Sequence, residues 1–459
     1  MKKGIVQIFF SNIIFMLFGV INNFILPKYL SINSYAMVKT YLLYMSYAGF
    51  LGFGFMEGMF LFFGGRNIRE TKNLGFGNKF KTFLYIQIFV AIIIAFVGIF
   101  VKNSIIIFCS VGLLQTNIIN YIKNYATAVG EYKIYSIVNS FEKIGVLLFN
   151  IILVFLVKTD DFVLYILAVI AVGILEILYS VFIINNKEKG IFKGKFSLDE
   201  AKLNISMGIV LLISNSISTL FTGIDQWFVK LFMTSFDFAV YSFAVSLERI
   251  VGLFITPIIL VLYNYLCRNK NSDELKFLRE VLLIWGAVIL VAIFPVKFFV
   301  KMWIAQYEVS LNIIAILFIG QAINCIINGI YTNLYKAEKK QKILLIQMVV
   351  MTLLSIILNA VFYYIFKSLL SIAVATLVTK IIWLIWCEVD CKEQSYGIYG
   401  NISIVIIYGS FLIVDAMNNQ VISCVIYCII IFVTVLIFMK STFKRCICEI
   451  KNLLIYRRL

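Results

Sequence analysis

Three basic side chains sit inside long hydrophobic runs, where an apolar helix would bury them: Lys143, Arg249 and Lys380. At the helical rise per residue they lie about 15, 18 and 16 Å from the starts of their runs, near the middle of a hydrocarbon layer ~30 Å thick. Lys39 is only about 8 Å from its edge and can reach headgroups. Charge at such depth is costly and marks a functional site by default. The chemistry that suits these four is recognition of an anion: Arg offers a fork of donors matched to phosphate, and Lys a mobile point charge. Glu142 and Glu248 adjoin Lys143 and Arg249. Neighbours on a helix point about 100° apart, so these pairs are expected to neutralise one another poorly. Pairing across helices stays open.

Five carboxylates occupy the same kind of run: Glu57, Glu142, Glu176, Asp225 and Glu248. They are the candidates for gating or for coupling to Na+ or H+, and which ion stays open. Asp225 reads equally as a structural partner, and Glu176 as a group solvated by headgroups. Gln321, Asn324 and Asn328, at i, i+3 and i+7, form one polar stripe that could line a cavity and joins the candidate binding set. Gln115, Asn117 and Asn120 crowd another run, and Ser214, Asn215, Ser216, Ser218, Thr219 and Thr222 a third. Asn12, Asn22 and Asn23 load the first. Such residues either bond helix to helix or line a wet interior. There is no histidine, which removes His catalysis and His metal ligation. The nine cysteines show no metal-type spacing of paired CxxC motifs, so no metal site and no cofactor are expected.

The elements that carry these residues are set by composition. The 459 residues are 62% hydrophobic and 14% charged, too apolar to cover a water-soluble particle. Soluble enzyme classes are excluded. Apolar runs at 7–30, 34–63, 82–101, 104–129, 133–157, 162–184, 204–230, 237–264, 280–299, 310–335, 343–365, 369–389, 400–416 and 421–439 predict an all-α, polytopic membrane protein. About fourteen transmembrane helices are expected, with twelve as the alternative. The run at 7–30 ends in Pro27-Lys28 and is read as a span, not a cleaved signal.

The net charge of +17 would suggest a nucleic-acid partner in a soluble protein. Here its location argues otherwise. The outer loops hold only Lys28, Lys102, Lys158, Lys230, Lys297, Lys301 and Lys367, and apart from the four buried cations the other Lys and Arg fall on the opposite side. That asymmetry places both termini in the cytoplasm, and no nucleic acid is needed. Short loops leave no room for a soluble domain, which argues against a membrane polymerase or ligase. The basic stretch 439–459 reads as an interfacial helix on anionic lipid.

Two segments recur. Ser34-Tyr35-Ala36-Met37-Val38 and Asp237-Phe238-Ala239-Val240-Tyr241 open the second and eighth runs; Ala128-Val129-Gly130-Glu131-Tyr132-Lys133 and Ala337-Glu338-Lys339-Lys340-Gln341-Lys342 close the fourth and tenth. Both map a run onto the one six later. The expectation is two pseudo-symmetric six-helix lobes around a central cavity, 1–200 and 201–392, with 393–459 supplying the last two helices and the basic tail.

With these elements in order, the chain resembles the oligosaccharide (O-antigen type) flippase family of the multidrug/oligosaccharidyl-lipid/polysaccharide exporter superfamily. The resemblance covers roughly residues 1–390. It rests on LPKYLSINSYAMV and GFLGFGFMEGMFLFF in the first half, and on STLFTGIDQWFVKLFMTSFDFAVYSFAVSLERI and YKAEKKQK in the second. The family's Asp after the seventh span matches Asp225, and its eighth-span start matches Ala239-Val240-Tyr241-Ser242; where family members often carry Arg or Lys after that Asp, this chain has Gln226. The resemblance implies a non-enzymatic flippase in the bacterial inner (cytoplasmic) membrane. Its cargo would be an undecaprenyl-pyrophosphate-linked oligosaccharide repeat unit, moved from the cytoplasmic to the outer leaflet by alternating access. The implied partners are that lipid-linked oligosaccharide, membrane lipids, and polysaccharide polymerase and chain-length machinery. A cation-coupled multidrug exporter of the same fold is the alternative, and a polymerase or ligase a more distant one.

Overall fold

The computed structural model describes residues 18–267, 272–391, 397–417, 419–446 and 448. Among them there is no strand. In chain order the helices are α1 (18–29), α2 (Ile32–Ser46), α3 (Phe55–Phe63), α4 (Ile68–Asn73), α5 (Phe76–Phe100), α6 (Ser104–Ala128), α7 (Tyr132–Ile151), α8 (Phe162–Lys187) and α9 (Leu198–Phe232). They continue as α10 (Ser235–Leu266), α11 (Ser272–Val291), α12 (Ile293–Trp303), α13 (Leu311–Ile326), α14 (Asn333–Ala337), α15 (Gln341–Phe366), α16 (Leu369–Asp390), α17 (Gly397–Asp415) and α18 (Gln420–Phe438).

Eleven helical segments are long and apolar enough to cross a membrane, and a bent pair, Ile32–Gly52 with Phe55–Phe63, makes a twelfth. Two of the fourteen expected runs account for the difference. The first lies partly outside the described residues, together with Asn12, and the run 400–416 forms the shorter apolar helix Gly400–Asp415. Large apolar side chains such as Phe96, Phe100, Leu156, Tyr364 and Ile413 stand exposed along these helices. A surface of that kind is solvated by lipid, so this is a multi-pass membrane protein.

Helix starts follow from short polar residues in tight loops. Ser31, Asn103, Asp161, Thr234, Ser368 and Asn419 each accept a hydrogen bond from a backbone N–H of the helix they precede, which satisfies donors orphaned at the first turn.

The chain divides into two compact units, Met1–Thr222 and Gly223–Leu459, with the boundary inside α9. In the first unit α6 packs on α2, α3, α5, α7 and α8. One end of this unit is filled by Phe55, Phe63, Phe76, Phe80, Phe83, Tyr121 and Tyr125, all buried. The bent pair breaks at Phe53 and Gly54, both left-handed (φ 52° and 82°). The break frees backbone carbonyls inside the membrane, where each must find a partner. Asn117 Nδ2 donates to the carbonyl of Ala48 at 3.0 Å and to Gln87 Oε1 at 2.7 Å, while Gln87 Nε2 donates to the carbonyl of Leu51 at 3.0 Å. Beyond the break, α3 lies backbone to backbone on α9. A Cβ at Gly58 would fall 1.9 Å from the carbonyl oxygen of Asn204, and one at Gly208 would fall 1.9 Å from that of Gly54.

In the second unit α13 is the buried centre, packed by α10, α11 and α16. It leaves α-helical geometry over Ile327–Thr332, a π-helical stretch. The described start of the basic tail docks on α11: Thr442 bonds Glu280, and the Arg445 guanidinium meets Glu274 at 2.8 Å and covers the Phe277 ring. The expected interfacial helix beyond it lies largely outside the described residues.

Candidate functional site

Each unit holds a polar group of its own. In the first, α6, α7 and α8 bring together Lys123, Glu142, Lys143 and Glu176. Lys123 Nζ lies 3.2 Å from Glu142 Oε2 and 3.8 Å from Glu176 Oε1, and Lys143 pairs with Glu142. The adjacent pair therefore does meet, against the expectation from helix geometry: both side chains are long and flexible enough to turn toward each other despite the angle between their Cα–Cβ bonds. Glu176 departs from its expected headgroup solvation. Its side chain is 1% exposed, because α6 and α7 cover that face of α8. Elsewhere in this unit Lys39 lies over the Tyr35 ring at 5.2 Å, and Glu57 is half-buried beside Asn215 of α9. Gln115 Nε2 donates to the carbonyl of Val169 at 3.3 Å. Gln115 and Asn117 thus make interhelix bonds.

In the second unit, α9, α10 and α16 carry the charged residues. Asp225 is buried; its Oδ2 accepts from Tyr241 Oη at 2.8 Å and its Oδ1 from the Gln226 backbone N–H at 2.8 Å. Lys380 of α16 meets Glu248 of α10 at 3.2 Å, both buried. Lys380 also lies against Gly320, where a Cβ would approach its Nζ to 3.1 Å. Arg249 points away from Glu248, as adjacent positions should. Its Nη2 donates to Gln226 Oε1 at 2.9 Å, the residue is exposed, and among the described residues no carboxylate forms an ion pair with it. Gln321, Asn324 and Asn328 form one hydrogen-bonded chain along α13, extended by Thr332: Asn324 donates to Gln321 at 3.3 Å and Asn328 to Asn324 at 2.7 Å.

Sequence reasoning missed Lys123, counted as cytoplasmic although it lies within the run 104–129; its place inside that run was the available signal. It also placed Lys297 in an outer loop, whereas that side chain is buried against Asp415 at 2.6 Å. Tyr241 was quoted only as part of a motif, and nothing in its spacing marked it as the partner of Asp225. Outside the spans, Glu338 beside Lys340 holds that ammonium pKa above the usual lysine value. Among the described residues no cluster of His, Cys, Asp and Glu could hold a metal ion.

Long apolar helices, a broken span with its carbonyls satisfied, and buried ion pairs define an all-α, polytopic membrane fold. Among solved structures the chain is similar to the lipid II flippase MurJ in its inward closed conformation, with a TM-score of 0.72, 14% identity, and coverage of 97% of this chain and 100% of that one. It is also similar to a multidrug resistance MATE family transporter. The inward-facing form gives a TM-score of 0.55 at 13% identity over 83% of this chain and 95% of that one. The outward-facing form gives 0.51 at 14% over 86% and 96%. No family model matches the sequence, and no curated protein matches it.

Proposed function

We propose that this protein is a membrane flippase that carries an undecaprenyl-pyrophosphate-linked oligosaccharide, an O-antigen or similar surface-polysaccharide repeat unit, from the cytoplasmic to the outer leaflet of a bacterial inner membrane by alternating access. The observation that carries the reading is the end-to-end likeness to a lipid flippase, 97% of this chain on 100% of that one, where the multidrug transporter covers 83–86%. Residues 1–200 and 201–392 act as the two lobes, 393–459 supply the last helices and tail, and both termini face the cytoplasm. Polysaccharide polymerase and chain-length machinery would take over the product.

An anionic headgroup needs cations that are not already spent on carboxylates. Arg249, on the exposed face of α10 with Gln226 as its bonded neighbour, is the first such group. Lys143 and Lys380 hold carboxylates and would exchange them for phosphate. Lys39 serves the lipid-facing end, and the Gln321–Asn324–Asn328 chain offers hydrogen bonds to sugar hydroxyls. Glu57, Glu142, Glu176, Asp225 and Glu248 gate these cations or couple them to Na+ or H+. Deleting the gene tests the reading: lipid-linked repeat units should accumulate on the cytoplasmic face. A normal glycan together with drug hypersensitivity would instead establish the multidrug exporter.

A further inference from the structure

One carboxylate in the first unit is left without a donor. Glu176 is completely buried, and neither of its oxygens has a hydrogen-bond partner among the described residues. The nearby Ser180 hydroxyl is turned to the backbone carbonyl of Glu176 itself, at 2.6 Å. Lys123 stands at 3.8 Å, beyond hydrogen-bond reach, because it is drawn to Glu142 at 3.2 Å. Three helices pack on α8. The charged groups they turn toward Glu176 are Lys123 from α6 and Glu142 and Lys143 from α7. The α2 face on α8 presents the phenols Tyr41 and Tyr44, and its one charged residue, Lys39, lies over Tyr35.

An ionised carboxylate stripped of water and donors is far costlier than a neutral one, and a shared lysine without a hydrogen bond recovers only part of that difference. We propose that Glu176 is a proton-binding site that sets the charge of this group. With Glu176 protonated, Lys123, Glu142 and Lys143 carry one net positive charge; with it ionised, the four side chains are neutral. Lys143 and Glu142 are each about a third exposed (29% and 30%), so the added charge faces outward through them. The consequence for cargo rests on the flippase reading: an anionic headgroup binds the protonated group better, and binding takes up a proton.

The test uses the full chain in lipid nanodiscs. Infrared difference spectroscopy across a pH titration should show the carbonyl stretch of a protonated carboxylic acid in the wild type. The band should be lost in Glu176→Gln and should titrate at lower pH in Glu142→Gln, which frees Lys123 to approach Glu176. Affinity for undecaprenyl pyrophosphate should fall by up to about tenfold per pH unit above the titration of that band, and the fall should be absent in Glu176→Gln. No such band, or a band indifferent to Glu176→Gln, overturns the proton site. A pH dependence that survives in Glu176→Gln overturns its control of charge. A Glu176 band without binding of the pyrophosphate at any pH supports the proton site and defeats the cargo reading instead.

Discussion

Lys380 Nζ on α16 lies 3.2 Å from Glu248 Oε1 on α10, with both side chains about nine-tenths buried. Removing one partner leaves the other as an uncompensated buried charge, which costs roughly 3–5 kcal/mol. Lys380→Met is therefore expected to lower the thermal unfolding temperature in detergent sharply. Adding Glu248→Gln should restore most of the loss. A double variant as unstable as the single one would mean that the two charges do not depend on each other.

Arg249 is bonded to Gln226 and sits beside that pair without sharing it. Arg249→Ala leaves no carboxylate stranded among the described residues and removes one donor from the buried Gln226, so it should cost about 1 kcal/mol, well below the loss in Lys380→Met. Surface glycan, measured on cells with matched protein levels, should nevertheless fall severely, and Arg249→Lys should recover part of it. Unchanged glycan in Arg249→Ala would remove this residue from the cargo path.

Asn117 closes the broken span by serving both the Ala48 carbonyl and Gln87. Asn117→Leu deprives both of a donor inside the membrane, at a cost of about 1–3 kcal/mol. Melting of the purified protein should drop accordingly. Gln115→Leu, which loses one longer bond to Val169, should cost less.

The α3–α9 crossing depends on two glycines that meet backbone atoms. Gly58→Ala must push α3 off the Asn204 carbonyl and is expected to cost about 1–3 kcal/mol. Gly252 of α10 has nothing within 4 Å of its would-be Cβ, so Gly252→Ala should be neutral or stabilise by up to about 1 kcal/mol. Thermal unfolding of the two variants side by side distinguishes a packing effect from a helix-propensity effect.

Span placement was legible because membrane helices announce themselves by length and apolarity, and the recurrence was legible at its ends. Ser31 and Thr234, 203 positions apart in numbering, cap α2 and α10 by the same bond to the third residue on. The turn after Ala128 and the turn after Ala337 repeat one pattern: Glu131 N–H donates to the Ala126 carbonyl at 2.7 Å, and Lys340 N–H to that of Tyr335 at 2.8 Å. Gly130 and Lys339 are both left-handed there (φ 74° and 59°). Capping is local chemistry, so it survives in a short motif. The pairing of charges is not local. Whether Lys143 turns to Glu142, or Lys380 to Glu248 some 130 positions away, depends on helix rotation and on which face a neighbour covers, and neither is written in apolar spacing. The burial of Glu176 and the role of Lys123 were hidden for the same reason.

The most direct measurement is flipping in proteoliposomes that contain undecaprenyl-pyrophosphate-linked oligosaccharide, read by access of an external enzyme or lectin to the sugar. Wild-type protein should expose cargo from the inner leaflet far faster than empty liposomes, and Arg249→Ala should lose most of that rate. Wild-type liposomes no faster than empty ones, while the same preparation expels a cationic drug, would contradict the flippase assignment.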